Sequence, residues 1–172
     1  FKNKNWIGNG QLIPSGPLRD KIESLINYDI VFFIGKEHIS EDIKNKIKKI
    51  NPKIKIFYSH YEIKNLDKFE KKSNYLIFSG IGDPASFKDI LLENRINVKK
   101  EMIYPDHYIF KKNDIEKIVS EAKKIDAKIL TTEKDFVKLS NNKIEGINFL
   151  EIELKIFEEK NFINFIYEKL KR

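Results

Sequence analysis

The sequence contains no cysteine. Disulfides and thiolate metal sites are therefore excluded, and a reducing compartment fits without being required. Arginine is nearly as scarce: Arg19, Arg95 and Arg172 stand alone, and every other basic residue is lysine. Specific phosphate and base recognition usually draws on the rigid guanidinium fork, so a nucleic-acid module is the weakest reading. No stretch approaches the roughly 18–20 apolar residues needed to cross a bilayer, and no charged-then-apolar leader follows Phe1. Nothing in these residues is expected to span a membrane, although an anchor ahead of Phe1 stays open.

What is present points to a folded domain. The chain has 172 residues, 41% of them hydrophobic, which suffices for one domain with its own core. The formal net charge is +7, yet 26 acidic residues are interleaved with the lysines. We read most of that charge as solvated surface, with a basic face near anionic lipid or phosphate as the alternative.

The opening twenty residues differ from the rest. Gly8, Gly10 and Gly16 with Pro14 and Pro17 give this stretch a density of turn residues that suits a linker. Residues 1–20 are therefore read as the end of a preceding domain, and residues 21–172 as one α/β domain. In that domain apolar runs and helical periodicities alternate. Strands are expected at 28–34, 53–59, 75–79, 98–104, 128–132 and 147–152. Helices are expected after Ser40, over 85–95, from Asn113 with Glu116 in a capping-box-like start, over 133–139, and at the end of the chain. The stretch 61–73 stays unassigned. This rhythm predicts a Rossmann-like, mainly parallel sheet with helices on both faces. Ligands in such sheets sit at the carboxyl ends of the strands, so the loops there carry the candidate chemistry.

Four loops stand out. Gly80-Ile81-Gly82-Asp83-Pro84-Ala85 follows a strand and formally fits the dinucleotide fingerprint. Asp83 and Pro84 argue against a phosphate there, one by its charge and the other by removing a donor, and favour a tight turn with Asp83 as cap. Tyr104-Pro105-Asp106-His107-Tyr108 offers an imidazole beside a carboxylate, the pair that proton transfer needs, against the plainer reading of a structural loop histidine. His38 and His60 have no comparable setting and receive no role. In Thr131-Thr132-Glu133-Lys134-Asp135 the threonines can cap a helix whose first turn favours Glu133 and Asp135. Lys134 fits that turn poorly, which hints at a partner, either Asp83 or an anionic ligand. In Gly16-Pro17-Leu18-Arg19-Asp20 the rare Arg19 suits a two-pronged hold on phosphate or carboxylate, or a plain helix entry.

Taken together, GNGQLIPSGPLRD at 8–20, FSGIGDPASF at 78–87, YPDHYIF at 104–110 and LTTEKDFVKL at 130–139 resemble the tetraacyldisaccharide 4'-kinase (lipid A 4'-kinase) family, in order and across essentially the whole chain. The resemblance implies the carboxy-terminal part of a two-domain P-loop-type kinase. That kinase transfers the γ-phosphate of ATP, with Mg, to the 4'-hydroxyl of a tetraacylated glucosamine disaccharide 1-phosphate. It also implies a place on the cytoplasmic side of the inner membrane of Gram-negative bacteria. The family's phosphate loop, magnesium carboxylates and catalytic aspartate belong to the amino-terminal domain, so this chain alone is expected to be inactive and to hold no metal.

The catalytic set implied for this chain is His107, Asp106 and Arg19. His107 would partner the catalytic aspartate of the other domain, and Asp106 would orient or contact the nucleotide region. The nucleotide-contacting set is Asp20, Gly80, Gly82 and Lys134; Asp20 stands where the family usually has Glu, one methylene longer. Partners implied are the lipid A disaccharide precursor, the amino-terminal kinase domain and a membrane surface, with no nucleic acid. The rival reading is a stand-alone Rossmann-like module that binds a nucleotide or dinucleotide at Gly80–Ala85 without catalysis. No nucleophile with a base and an orienting partner supports an autonomous hydrolase.

Overall fold

The structure, a computed structural model, describes residues 6–35, 39–139 and 145–171. His38 and Arg172 lie outside them. In chain order the elements are β1 (Ile30–Ile34), α1 (Glu41–Ile50), β2 (Lys55–Ile63), β3 (Asn74–Ser79), α2 (Pro84–Glu93) and β4 (Asn97–Ile103). They continue with α3 (Lys112–Lys124), β5 (Ala127–Thr132), α4 (Glu133–Leu139), β6 (Ile147–Leu150), β7 (Ile152–Ile156) and α5 (Glu159–Leu170). The alternation read from the sequence is present and mainly parallel, carried by two sheets of three and four strands. The chain divides into two compact units, residues 1–62 with 154–172 and residues 63–153.

In the first unit β1 and β2 pair in parallel, Ile30 opposite Lys55 through Ile34 opposite Ser59. Successive strand residues face opposite sides. Phe33 therefore meets the buried Ile47 of α1 and Ile54, while Phe32 and Phe57 each take the ring of Phe162 of α5 edge-on, at 5.0 and 5.3 Å. Cover on both faces is why β1 reads as an unbroken apolar run. Ser40 starts α1 by accepting from the Ile43 N–H at 3.5 Å. Asn51 ends it, donating to the carbonyls of Leu25 and Tyr28 at 3.0 and 2.9 Å. That anchored carbonyl ends a 3-10 turn at Ile22–Asn27, so β1 begins two residues later than the apolar run suggests. Among residues 6–20 Leu18 is buried and bridges Leu12.

The second unit is built around β3, whose residues Tyr75–Ser79 are all buried. The strand order is β4-β3-β5-β6, every pair parallel. Leu76 and Phe78 pack with Ile115, Ile118 and Ala122 of α3; Tyr75 and Ile77 pack with Phe87 and Leu91 of α2. The connection leaves β3 for β4 on one side, then returns to place β5 on the other. The order thus reverses at β3 and β5, which puts the crevice of a doubly wound sheet outside their carboxyl ends. That geometry selects the Gly80 turn and the start of α4 as the place to look for a site.

Three local expectations change. The strand expected at 147–152 is two strands broken at Glu151, whose N–H is drawn off by the Asn65 side chain at 3.1 Å. The unassigned stretch 61–73 extends β2 to Ile63 and then makes a 3-10 turn at Leu66–Lys68. The start of α3 is governed by Asp114, not by Asn113 and Glu116: its carboxylate accepts the Lys111 N–H at 2.8 Å.

One surface carboxylate gives this unit a defined acid response. Glu121 on α3 accepts from Lys100 at 2.5 Å and Lys124 at 2.6 Å, and these bonds push its pKa from 4.5 down to about 2. A depressed carboxyl stabilises the fold above its unfolded pKa and loses that contribution as pH falls through the folded one. Between pH 4.5 and about 2, Glu121→Gln should therefore make the fall in melting temperature shallower than in the unsubstituted chain.

Candidate functional site

The turn after β3 is fixed from two directions. Gly80 donates its N–H to Asp135 Oδ2 at 2.8 Å, and its carbonyl accepts the His107 N–H at 3.1 Å. A Cβ on Gly80 would stand 3.2 Å from the Pro105 carbonyl oxygen and 3.2 Å from Tyr108 Cβ. A side chain there would push the loop after β4 back by a few tenths of an ångström, so glycine suits the close approach. The turn then enters α2 as the sequence suggests: Asp83 accepts from the Ser86 N–H at 3.1 Å and hydroxyl at 2.7 Å, with Pro84 in the first turn.

The loop after β4 is held on its other side by aromatic packing. Tyr104 and Tyr108 lie 5.0 Å apart, and each meets Phe110, which in turn meets Phe78 edge-on at 5.2 Å. The Tyr108 hydroxyl donates to Asp114 at 3.1 Å, and that bond to a carboxylate raises its pKa above the ordinary phenol value. Between these anchors His107 adopts φ 61°, a left-handed conformation uncommon for a residue other than glycine. Such backbone persists where surrounding contacts over-determine it, and it collects at functional sites.

The result is an imidazole set outward: the His107 side chain is 76% exposed. Its Nε2 stands 3.7 Å from Asp106 Oδ2, too far for a hydrogen bond. Asp106 also accepts the His107 backbone N–H at 2.9 Å, and Lys134 Nζ lies 3.5 Å from its Oδ1. Partial desolvation pushes the Asp106 carboxyl upward, but the His107 N–H and the His107 and Lys134 side chains outweigh it and leave it below its ordinary value. Near neutrality Asp106 is therefore ionised, the state that can orient an imidazole or accept from a ligand hydroxyl.

Of the residues singled out in the sequence, the second unit brings together Asp106, His107, Lys134, Gly80 and Gly82. The partner of Lys134 is Asp106, not Asp83. Gly80 shapes the turn instead of lending its N–H to a cofactor, because Asp135 already takes that donor. Gly82 has an Asp106 oxygen 3.2 Å from where its Cβ would be. Carboxylates thus surround the turn, and a pyrophosphate on the Gly80–Ala85 backbone would meet Asp83, Asp106 and Asp135. Among the described residues no group of three potential ligands could hold a metal ion, and the Asp side chains here are engaged as above. At the Gly80 turn these carboxylates and the occupied Gly80 N–H disfavour a pyrophosphate.

Arg19 and Asp20 belong to the first unit. Both are exposed, and Asp20 accepts the Lys21 N–H at 2.8 Å. Gly16, at the head of their motif, has room for no side chain: a Cβ would fall 2.4 Å from the Gln11 carbonyl oxygen. The residue to which sequence reasoning gave only a first-turn role is Asp135, fully buried just past the carboxyl end of β5. Its signal was Thr132-x-x-Asp135: the Thr132 hydroxyl accepts the Asp135 N–H at 3.2 Å and donates to its carboxylate at 2.9 Å. That is half of a capping box: Thr132 caps the Asp135 N–H, while the Asp135 carboxylate takes the threonine hydroxyl instead of its backbone N–H.

Residues 1–171 match the family model for tetraacyldisaccharide-1-P 4'-kinase. Over 164 residues the chain is 44% identical to the tetraacyldisaccharide 4'-kinase of Pelagibacter ubique (strain HTCC1062), covering 95% of this chain and 52% of that protein. The corresponding protein of Rickettsia typhi (strain ATCC VR-144 / Wilmington) is 34% identical over 157 residues, covering 90% of this chain and 46% of that protein. The chain therefore spans about half the length of the curated relatives it matches. The crystal structure of LpxK from Aquifex aeolicus, described as a complex with ATP, aligns with a TM-score of 0.57 at 24% identity, over 98% of this chain and 50% of that one. At that identity the likeness speaks to the fold alone.

Proposed function

Because the chain belongs to the tetraacyldisaccharide-1-P 4'-kinase family, we propose that it is the carboxy-terminal part of an ATP-dependent kinase acting on the 4'-hydroxyl of a tetraacylated glucosamine disaccharide 1-phosphate. Residues 1–20 are its link to an amino-terminal domain that holds the triphosphate and Mg. The observation that carries the reading is His107: an exposed imidazole on a left-handed residue, beside an ionised Asp106, in the loop at the carboxyl end of a parallel strand.

Phosphoryl transfer depends mainly on positioning and charge stabilisation. When bound, ATP supplies the transferred phosphoryl group. The contribution of this chain is an imidazole that assists proton removal from the acceptor hydroxyl, together with a catalytic aspartate of the other domain. Asp106 keeps that ring oriented. Lys134 lies against Asp106 and limits the negative charge that an approaching nucleotide meets. Arg19 offers two parallel donors to a phosphate or carboxylate; Asp20, shorter than the usual Glu, orders the entry to the following turn through the Lys21 N–H.

The test is phosphate transfer by the full-length protein, given MgATP and the tetraacylated disaccharide 1-phosphate and followed by mass spectrometry. A 4'-phosphomonoester is expected; intact substrate after long incubation would overturn the reading. The stand-alone nucleotide module predicts instead that residues 1–172 bind NAD or ATP measurably by calorimetry, which the carboxylate-lined turn argues against.

No helix among the described residues is long and apolar enough to cross a membrane. Peripheral contact with the cytoplasmic face of the inner membrane is part of the proposal and rests on the lysine-rich surface. Flotation with anionic vesicles should carry the protein upward at low salt and release it at high salt; equal flotation with neutral vesicles would remove the electrostatic contact.

A further inference from the structure

We propose that Asp135 is a positioning residue: by gripping Gly80 it sets where the His107 imidazole stands. The kinetic part of this inference rests on the function proposed above; the geometric part does not.

Asp135 is a fully buried carboxylate, which a fold tolerates only when its lone pairs are well used. Oδ2 accepts from the Gly80 N–H at 2.8 Å and the Thr132 hydroxyl at 2.9 Å, and Oδ1 accepts from Lys138 Nζ at 2.8 Å. A helix that needed only its own first turn satisfied would stop at Thr132. The bond to Gly80 reaches across 55 residues of sequence to the neighbouring strand end.

Gly80 is the shared point. Its N–H goes to Asp135 and its carbonyl receives the His107 N–H, while its missing Cβ leaves room for Pro105, Tyr108 and Asp135 Oδ1 together. Asp135 and His107 thus hold opposite ends of one residue at the point where the strand order reverses. The adjacent Lys134 touches the same loop directly through Asp106. Helix α4 therefore fixes the imidazole by two routes, one buried and one exposed. The buried route is charge-assisted and shielded, hence the stronger of the two.

Asp135→Asn is the informative change, since asparagine keeps the shape and one acceptor oxygen but turns a charge-assisted bond into a neutral one. In the full-length protein labelled at glycine and histidine, the Gly80 amide proton should move upfield and the His107 imidazole resonances should be displaced, while those of His60 stay put. The kcat should fall by up to about 10²-fold, the scale of a small misplacement of a catalytic group, with the KM for ATP nearly unchanged. A folded variant with unmoved His107 resonances overturns the proposal. If the variant does not fold, the unsubstituted protein decides by hydrogen exchange. The Gly80 and His107 amides should then open together, and a freely exchanging His107 amide beside a protected Gly80 overturns the proposal. Displaced resonances in a protein that transfers no phosphate would uphold the positioning role and sink the kinase reading; transfer with an unmoved imidazole would do the reverse.

Discussion

Replacing His107 with alanine in the full-length protein should lower kcat by about 10²–10⁴-fold, the range that general acid–base groups contribute, while leaving the fold intact. The fold survives because the side chain is 76% exposed and stands 3.7 Å from Asp106, beyond hydrogen-bond reach. The anchors of the loop belong to the backbone N–H of His107 and to Tyr104, Tyr108 and Phe110, none of which the substitution removes. His107→Asn should show the same loss and suits the left-handed backbone better, since asparagine tolerates positive φ. Steady-state kinetics with both variants separates chemistry from binding: kcat falls and the KM for ATP changes little. An unchanged kcat would remove His107 from the mechanism.

The largest effect on stability is expected at Phe78. Its side chain is fully buried near the end of β3, among Ile115 and Ile118 of α3, and it takes the edge of Phe110. Truncation to alanine removes that burial and leaves a cavity, for which about 3–5 kcal/mol is typical. The hydrogen bond from the Thr131 hydroxyl to the Phe78 carbonyl, 2.7 Å, involves only the backbone of Phe78 and should persist. Urea unfolding should therefore show a lower midpoint with the same slope. The loss should also loosen Phe110, and through it the ring stack behind Asp106 and His107. A cost below about 1 kcal/mol would mean that this core relaxes around the gap far better than its packing suggests.

Much of the second unit was legible because each signal there is local. The buried run at Tyr75–Ser79, the Asp83–Pro84 helix entry, the periodic face of Ile115, Ile118 and Ala122, and the Thr132 cap all act within a few residues. Helical and strand periodicities are written in spacing, and these elements follow them. What was not legible depends on contacts distant in sequence. β7 pairs with β2 across roughly 90 residues, and the flanking backbone bonds from the Lys64 N–H to the Glu151 carbonyl and from the Phe157 N–H to the Tyr58 carbonyl run in opposite directions. The break between β6 and β7 is made by Asn65, far from either strand in the sequence.

The site divides in the same way. That an Asp-His pair ends β4 is plain in the sequence, and so is the oddity of a lysine in the first turn of α4. Which carboxylate answers that lysine is a matter of how two loops meet, and spacing is silent on it. Asp135 read as an ordinary acid of a first helical turn. Its burial, and its hold on Gly80, exist only once β3 and β5 lie side by side.

The proposal turns on a nucleotide reaching the imidazole of this chain. Magnetic resonance of the histidine side chains in the full-length protein, during titration with a non-hydrolysable ATP analogue and Mg, measures that directly. The account predicts that the His107 resonances move with the nucleotide and saturate with it, while those of His60, stacked on Phe157, do not. A His107 signal that stays fixed at saturating nucleotide would contradict it.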